Sequence, residues 1–226
     1  MKGSNIVIIG GNSGIGKKVE EILINEGAKV FSYSRSNSGS NHLDILEDFE
    51  EIPKLPDVVH GLVYCPGTIN LKPFKRIKIS EFRQDLEINY VGAIKTLQYL
   101  ESFLKKAKNA SVVLYSTVAV QTGLGFHSSV AGAKGAIEGL TRSLAAEWAN
   151  SGIRVNAIAP SLTDTALANS LLSTDEKKIA AANRHPLGRF GTVDDIASST
   201  IFLLSDKSSW ITGQILKVDG GMSVIK

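Results

Sequence analysis

An apolar run, Ile6-Val7-Ile8-Ile9, leads directly into Gly10-Gly11-Asn12-Ser13-Gly14-Ile15-Gly16, and a helical pattern follows with Val19, Ile22 and Leu23 on one face. Gly27 is a plausible stop for that helix. Strand, glycine turn and helix, in that order, are the setting in which a Gly-x3-Gly-x-Gly spacing has chemical meaning. The glycines allow a tight turn and let the backbone come close to a pyrophosphate, which the helix amino terminus attracts. The competing reading is a strand-helix turn that binds nothing.

Further strand-like runs lie at 28–34, 58–64, 111–116, 153–159 and 215–218, with helical stretches at 80–106, 131–150 and 193–204. This alternation implies the α/β class: a Rossmann-type, doubly wound parallel sheet with helices on both faces. Without a linker, repeat or low-complexity tract, 1–226 is expected to be a single dinucleotide-binding domain, and the Ser/Asn-rich piece at 34–41 a loop. With 226 residues, 43% of them hydrophobic, the chain can bury a substantial core. A net charge of +3 gives no reason to expect nucleic acid or a membrane as partner. The run at 6–9 is too short for a signal peptide or a membrane span. Cys65, the single cysteine, excludes an internal disulfide and fits a reducing, cytoplasmic setting. The histidines at 42, 60, 127 and 185 are scattered, so no metal site is expected.

Dinucleotide folds often place a carboxylate about 20 positions beyond the glycine turn, where it binds a ribose hydroxyl. Here the end of the second strand reads Ser34-Arg35-Ser36. A guanidinium between two hydroxyls suits a 2′-phosphate, so NADP(H) is expected over NAD(H). Arg35 also reads as an ordinary solvated loop arginine.

These residues resemble the short-chain dehydrogenase/reductase family over nearly the whole chain. The family's glycine motif corresponds to Gly10-x3-Gly14-x-Gly16, its Asp-Val pair near the adenine to Asp44-Ile45, and its helix asparagine to Asn89. Its Asn-Asn-Ala-Gly strand end appears as Tyr64-Cys65-Pro66-Gly67, keeping only the glycine. Its Pro-Gly-x3-Thr segment near the nicotinamide appears as Pro160-Ser161-x3-Thr165. The segments 186–191, 211–214 and 218–221 are similar to the 3-oxoacyl reductase-like branch. The resemblance implies a dinucleotide site made of Gly10, Asn12, Ser13, Gly14, Ile15, Gly16, Ser34, Arg35, Ser36, Asp44, Ile45, Cys65, Gly67, Lys134, Pro160, Thr163 and Thr165. The stretch from Arg35 to Asp44 is short for the family, which implies a missing helix.

The family's chemistry uses Tyr-x3-Lys, with both side chains on one helix face. The tyrosine handles the proton at the substrate oxygen, the lysine lowers its pKa and holds the nicotinamide ribose, and a serine thirteen positions before the tyrosine binds the substrate oxygen. By position, Lys134 and Asn89 carry over, Thr117 keeps the serine's hydroxyl, and the tyrosine is replaced by Val130. Valine cannot exchange a proton, and a positioned acid-base group supplies about 10²–10⁴ in rate. Enoyl reductases of the superfamily place a tyrosine seven positions before the lysine, which is His127 here, an imidazole able to titrate near neutral pH. The alternative for His127 is a loop histidine without a role. Segments 122–126, 133–135 and 143–148 are similar to 2,4-dienoyl-CoA reductases, but the upstream tyrosine of those enzymes corresponds to Ala119. Tyr64, Tyr90 and Tyr115 are lesser candidates that packing explains adequately.

The segment at about 161–190 corresponds to the family's substrate lid. The basic run Lys72, Lys75, Arg76, Lys78 and Arg83 reads as a solvated face, with the phosphates of coenzyme A or an acidic carrier as the sharper alternative. The resemblance implies a homotetramer or homodimer through the helices at 80–106 and 131–150. Two functions follow: an NADP(H)-dependent oxidoreductase for a small carbonyl or enoyl substrate with an atypical proton donor, or a catalytically silent NADP(H)-binding scaffold, sensor or partner of an active paralogue.

Overall fold

The computed structural model describes residues 1–37 and 39–225. Ser38, inside the loop expected over 34–41, and Lys226 lie outside the described residues. One parallel sheet of six strands carries the fold, in the order β2-β1-β3-β4-β5-β6. The strands are β1 (Asn5–Ile9), β2 (Lys29–Tyr33), β3 (Gly61–Tyr64), β4 (Ser111–Tyr115), β5 (Arg154–Pro160) and β6 (Ile215–Val218). From β1 the chain moves one way to β2 and then returns past β1 to β3, so the strand order reverses beside β1. Such a reversal opens a crevice beyond the carboxyl ends of the strands, where ligands of open α/β sheets bind.

Both faces of the sheet are covered, which explains why β1 is apolar at successive positions. Side chains alternate along a strand. Ile6 and Ile8 pack with Val19 and Leu23 of α1 (Gly14–Asn25) and with Ile196 and Ile201 of α7 (Val193–Leu204). Val7 and Ile9 face the other way, toward α3 (Gly92–Lys106) and α5 (Ser128–Trp148), through Leu97, Leu100, Leu104 and Ile137. The remaining helices are α2 (Ile79–Leu86), the short α4 (Ala119–Thr122) and α6 (Asp175–Asn183).

Two expectations need correction. The strand read from 58 begins at Gly61, because the N–H of Val59 goes to Phe103 O on α3 rather than to a strand neighbour. The helix read over 80–106 is interrupted by a π turn, Glu87–Val91, between α2 and α3. The segment 161–190 contains a helix, α6, whose N-cap Thr174 accepts from the N–H of Lys177. The missing helix is confirmed: between β2 and β3 the described residues form only a 3₁₀ turn, Gly39–Asn41, and a single parallel bridge from Ser34 to His42. Leu43, Ile45 and Ile52 anchor this irregular segment in the core.

Candidate active site

A cavity of about 610 Å³ lies beyond the carboxyl ends of β1 to β5. Every residue that the resemblance assigned to a dinucleotide borders it, from the glycine turn through Ser34-Arg35-Ser36 and Asp44-Ile45 to Pro160, Thr163 and Thr165. Thr117, His127, Val130 and Lys134 border it as well, whereas Asn89 lies behind Gly67.

At the turn, Gly10 holds φ +83°, a left-handed conformation that side-chain-bearing residues rarely adopt. A β-carbon on Gly16 would stand 2.3 Å from Gly10 O, so only glycine fits. No acidic residue occupies the first turn of α1, and Ser13 makes no side-chain cap, leaving that helix end open to an anion. These features fit a pyrophosphate. Next to them, Asn12 donates to Ser36 Oγ, and Ser34 Oγ lies 3.5 Å from Ser36 Oγ. Among the described residues no carboxylate pairs with the Arg35 guanidinium, which borders the cavity.

At the other end, Val130 and Lys134 sit one turn apart on α5. Val130 is 6% exposed and contributes a hydrocarbon wall. Lys134 is 7% exposed, and burial pulls its ammonium down to about 8. Thr117 Oγ1 accepts the N–H of Ala119 at 3.3 Å, which leaves its own hydrogen available to an acceptor in the cavity. One turn beyond Lys134, the buried Glu138 accepts from Ser116 Oγ at 2.8 Å, Gln121 Nε2 at 3.2 Å and Arg142 Nη2 at 3.3 Å. Those bonds fix the segment carrying Thr117 against α5.

Asn89 is fully buried; its Nδ2 donates to Thr68 Oγ1 and Asp85 O, both at 2.8 Å. Its Oδ1 has no partner and faces Gly67, where an added β-carbon would touch it at 3.3 Å and Lys134 Nζ at 3.4 Å. The Tyr64 hydroxyl donates to Ile88 O at 2.7 Å, and Tyr115 meets Thr200 Oγ1 at 2.7 Å. Burial pushes both phenols well above their ordinary range. His127 stands at the N-cap position of α5 without a side-chain capping bond, with Nδ1 2.6 Å from Gly125 O. Sequence reasoning missed a buried imidazole, His185, whose Nε2 lies 2.8 Å from Ser161 Oγ. The two are 24 positions apart, so no local pattern joins them. Among the described residues no cluster of His, Cys, Asp or Glu is placed to hold a metal, and no helix is long and apolar enough to cross a membrane.

The strand order, the glycine turn and the lysine-bearing helix beside one cleft define a Rossmann-type oxidoreductase scaffold. The chain belongs to the short-chain dehydrogenase/reductase family, whose members generally bind NAD(P)(H). The profile described as Enoyl-(Acyl carrier protein) reductase matches residues 40–223. A tropinone reductase homologue of Arabidopsis thaliana is 34% identical, with 99% of this chain and 94% of that protein aligned. A 3-oxoacyl-[acyl-carrier-protein] reductase of Thermotoga maritima is 28% identical, with 99% of each aligned. A short-chain type dehydrogenase/reductase from Mycobacterium ulcerans superposes with a TM-score of 0.92 at 27% identity, covering 100% of this chain and 92% of that one.

Proposed function

We propose that this protein is an NADP(H)-dependent oxidoreductase for a small carbonyl or enoyl compound, with a proton donor other than residue 130. The observation that carries the reading is one cavity bordered by Ser34, Arg35 and Ser36 at one end and by Thr117 and Lys134 at the other. The turn at 10–16 would hold the pyrophosphate, Arg35 and the two serines the 2′-phosphate, and Lys134 the nicotinamide ribose. A bound nicotinamide supplies hydride chemistry. Thr117 donates a hydrogen bond to the substrate oxygen. Leu124, Leu167 and Leu171 border the same cavity and suit an apolar substrate. The reductase names of the relatives support the carbonyl and enoyl classes. Assembly as a homodimer or homotetramer through the helices at 80–106 and 131–150, a lid at about 161–190 and a cytoplasmic location belong to the same proposal.

The deciding assay follows NADPH and NADH oxidation against ketones, 3-oxoacyl thioesters and 2-enoyl thioesters, with dinucleotide binding titrated alongside. Turnover above about 1 s⁻¹, the low end for enzymes, supports the reading; failure to bind either dinucleotide removes it. His127→Ala tests the imidazole that the sequence nominates. Loss of turnover with intact NADPH affinity assigns the proton to His127, and unchanged turnover excludes it.

The hydrocarbon wall at Val130 favours a second reading, a dinucleotide-binding scaffold, sensor or silent partner without turnover. Tight NADPH binding with no turnover by the wild type, together with activity gained in Val130→Tyr, selects it.

A further inference from the structure

Reduction at an oxygen-bearing carbon ends with a proton on oxygen, and Val130 cannot supply one. A hydroxyl backed by an imidazole borders the same cavity. Ser161 follows directly on β5, where the family pattern reads Pro-Gly, and lies in the cavity wall. Its Oγ is 2.8 Å from Nε2 of His185. The ring is 4% exposed, and its Nδ1 is 2.7 Å from Ala181 O in the last turn of α6. A carbonyl only accepts, so Nδ1 carries a hydrogen in either charge state. In the neutral ring Nε2 is therefore an acceptor for the Ser161 hydroxyl; in the protonated ring it is a donor to Ser161 Oγ. The remaining neighbour of that oxygen is Met222 Sδ at 2.9 Å, a weak acceptor that a substrate oxygen readily outcompetes. His127, by contrast, is only partly buried and stands in a loop. His185 is buried and hydrogen-bonded at both ring nitrogens, which holds its ring in one orientation.

We propose that Ser161, backed by His185, passes the proton to the substrate oxygen in place of residue 130. This rests on the oxidoreductase reading, with a reduced nicotinamide dinucleotide as the co-substrate that supplies the hydride. In the reductive direction the Ser161 O–H bond breaks as its hydrogen moves to the substrate oxygen. The His185 Nε2–H bond breaks as that proton moves to Ser161 Oγ. The ring is left neutral, its Nδ1–H still on Ala181 O, and solvent returns the proton to Nε2. A carbonyl thus gains one hydride and one proton, and an alcohol forms. Ser161 is the catalytic residue of the pair and His185 acts through it.

The test combines kinetics with a measurement that needs no turnover. In the dinucleotide-free protein, nitrogen NMR followed across pH is expected to show that the His185 ring, on losing a proton, loses it from Nε2 and keeps Nδ1–H, with an Nε2 signal that moves in Ser161→Ala. In steady-state assays Ser161→Ala is expected to lower kcat by about 10²–10⁴-fold, as for loss of an acid-base group, with unchanged NADPH affinity. Ser161→Thr, which keeps a hydroxyl, should retain most of the rate. His185→Gln should lower kcat without changing NADPH affinity, and added imidazole should restore part of the rate to His185→Ala. A neutral ring protonated at Nε2, or a Ser161→Ala rate within about threefold of wild type, far short of an acid-base loss, overturns the relay while leaving the oxidoreductase reading intact. No turnover by the wild type across the substrate panel overturns that reading and the proton transfer with it, whatever the NMR shows.

Discussion

The phenolic hydroxyl of Tyr64, at the end of β3, donates to the carbonyl oxygen of Ile88 inside the π turn, at 2.7 Å. A π turn inserts a residue into the helix and upsets the regular carbonyl ladder. Here a strand residue satisfies one of the affected carbonyls and pins the turn that carries Asn89. Gly92 makes room for this contact, since a β-carbon there would stand 2.5 Å from the hydroxyl. Tyr64→Phe removes that hydrogen bond, at a cost of about 0.5–1.5 kcal/mol. Urea denaturation should show the midpoint falling with an unchanged m-value. An unchanged midpoint would mean that water replaces the hydroxyl.

Gly16 is the strictest position in the turn, because its β-carbon would meet the backbone oxygen of Gly10 rather than a movable side chain. Gly16→Ala is expected to abolish measurable dinucleotide binding by calorimetry. Gly125→Ala is the control, since a methyl group there meets nothing within 4 Å. Retained affinity in Gly16→Ala would show that the turn can reopen, and would weaken the case that it cradles a pyrophosphate.

Legibility in the sequence followed the range of the interactions. The glycine turn, the strand runs and the Lys134 helix are local patterns, and the shortened stretch after Arg35 was visible as a deficit of residues. The π turn was not legible, because one inserted residue between Leu86 and Gly92 leaves the apolar spacing on either side intact. Tyr64 held the signal, as a phenol where the family pattern has asparagine, but its meaning depended on knowing that Ile88 lies opposite. Asn89 was nominated by position; the fold sets it behind Gly67, with its amide nitrogen committed to Thr68 and Asp85. The Ser161–His185 pair joins the end of β5 to the end of α6, and no periodicity reports such a meeting.

The proposed 2′-phosphate site at Arg35 and its flanking serines can be tested through cofactor choice. A charge-assisted bond to a phosphate is worth about 1.5–3 kcal/mol, and about 1.4 kcal/mol corresponds to tenfold in affinity. Arg35→Asp is therefore expected to weaken NADPH binding by about 10–100-fold, while NADH gains a ribose acceptor and changes little. Fluorescence titration of both cofactors gives the ratio. Equal losses for the two would show that Arg35 does not read the 2′-phosphate.

Lys134 sets function against stability. Burial pulls its ammonium from 10.5 in the unfolded chain to about 8 in the fold. Below pH 8 both states are charged, and the folded protein carries the full cost of a buried cation. Between about 8 and 10.5 the unfolded chain binds more protons than the folded one, so this group makes stability rise with pH. The Cys65 thiol, pushed by burial from 9.0 to about 12, acts with the opposite sign above pH 9, and the neighbouring Lys134 ammonium offsets part of that rise. Lys134→Met removes the lysine contribution and keeps the apolar stem. Urea denaturation should find the variant more stable than wild type at pH 7, with the gap narrowing by on the order of 1–2 kcal/mol by about pH 9.5. On the proposed role of Lys134 at the ribose, the same variant should bind NADPH more weakly. A gap that does not change with pH would show that the ammonium is hydrated in the free protein, and that Lys134 does not meet the dinucleotide as a desolvated cation.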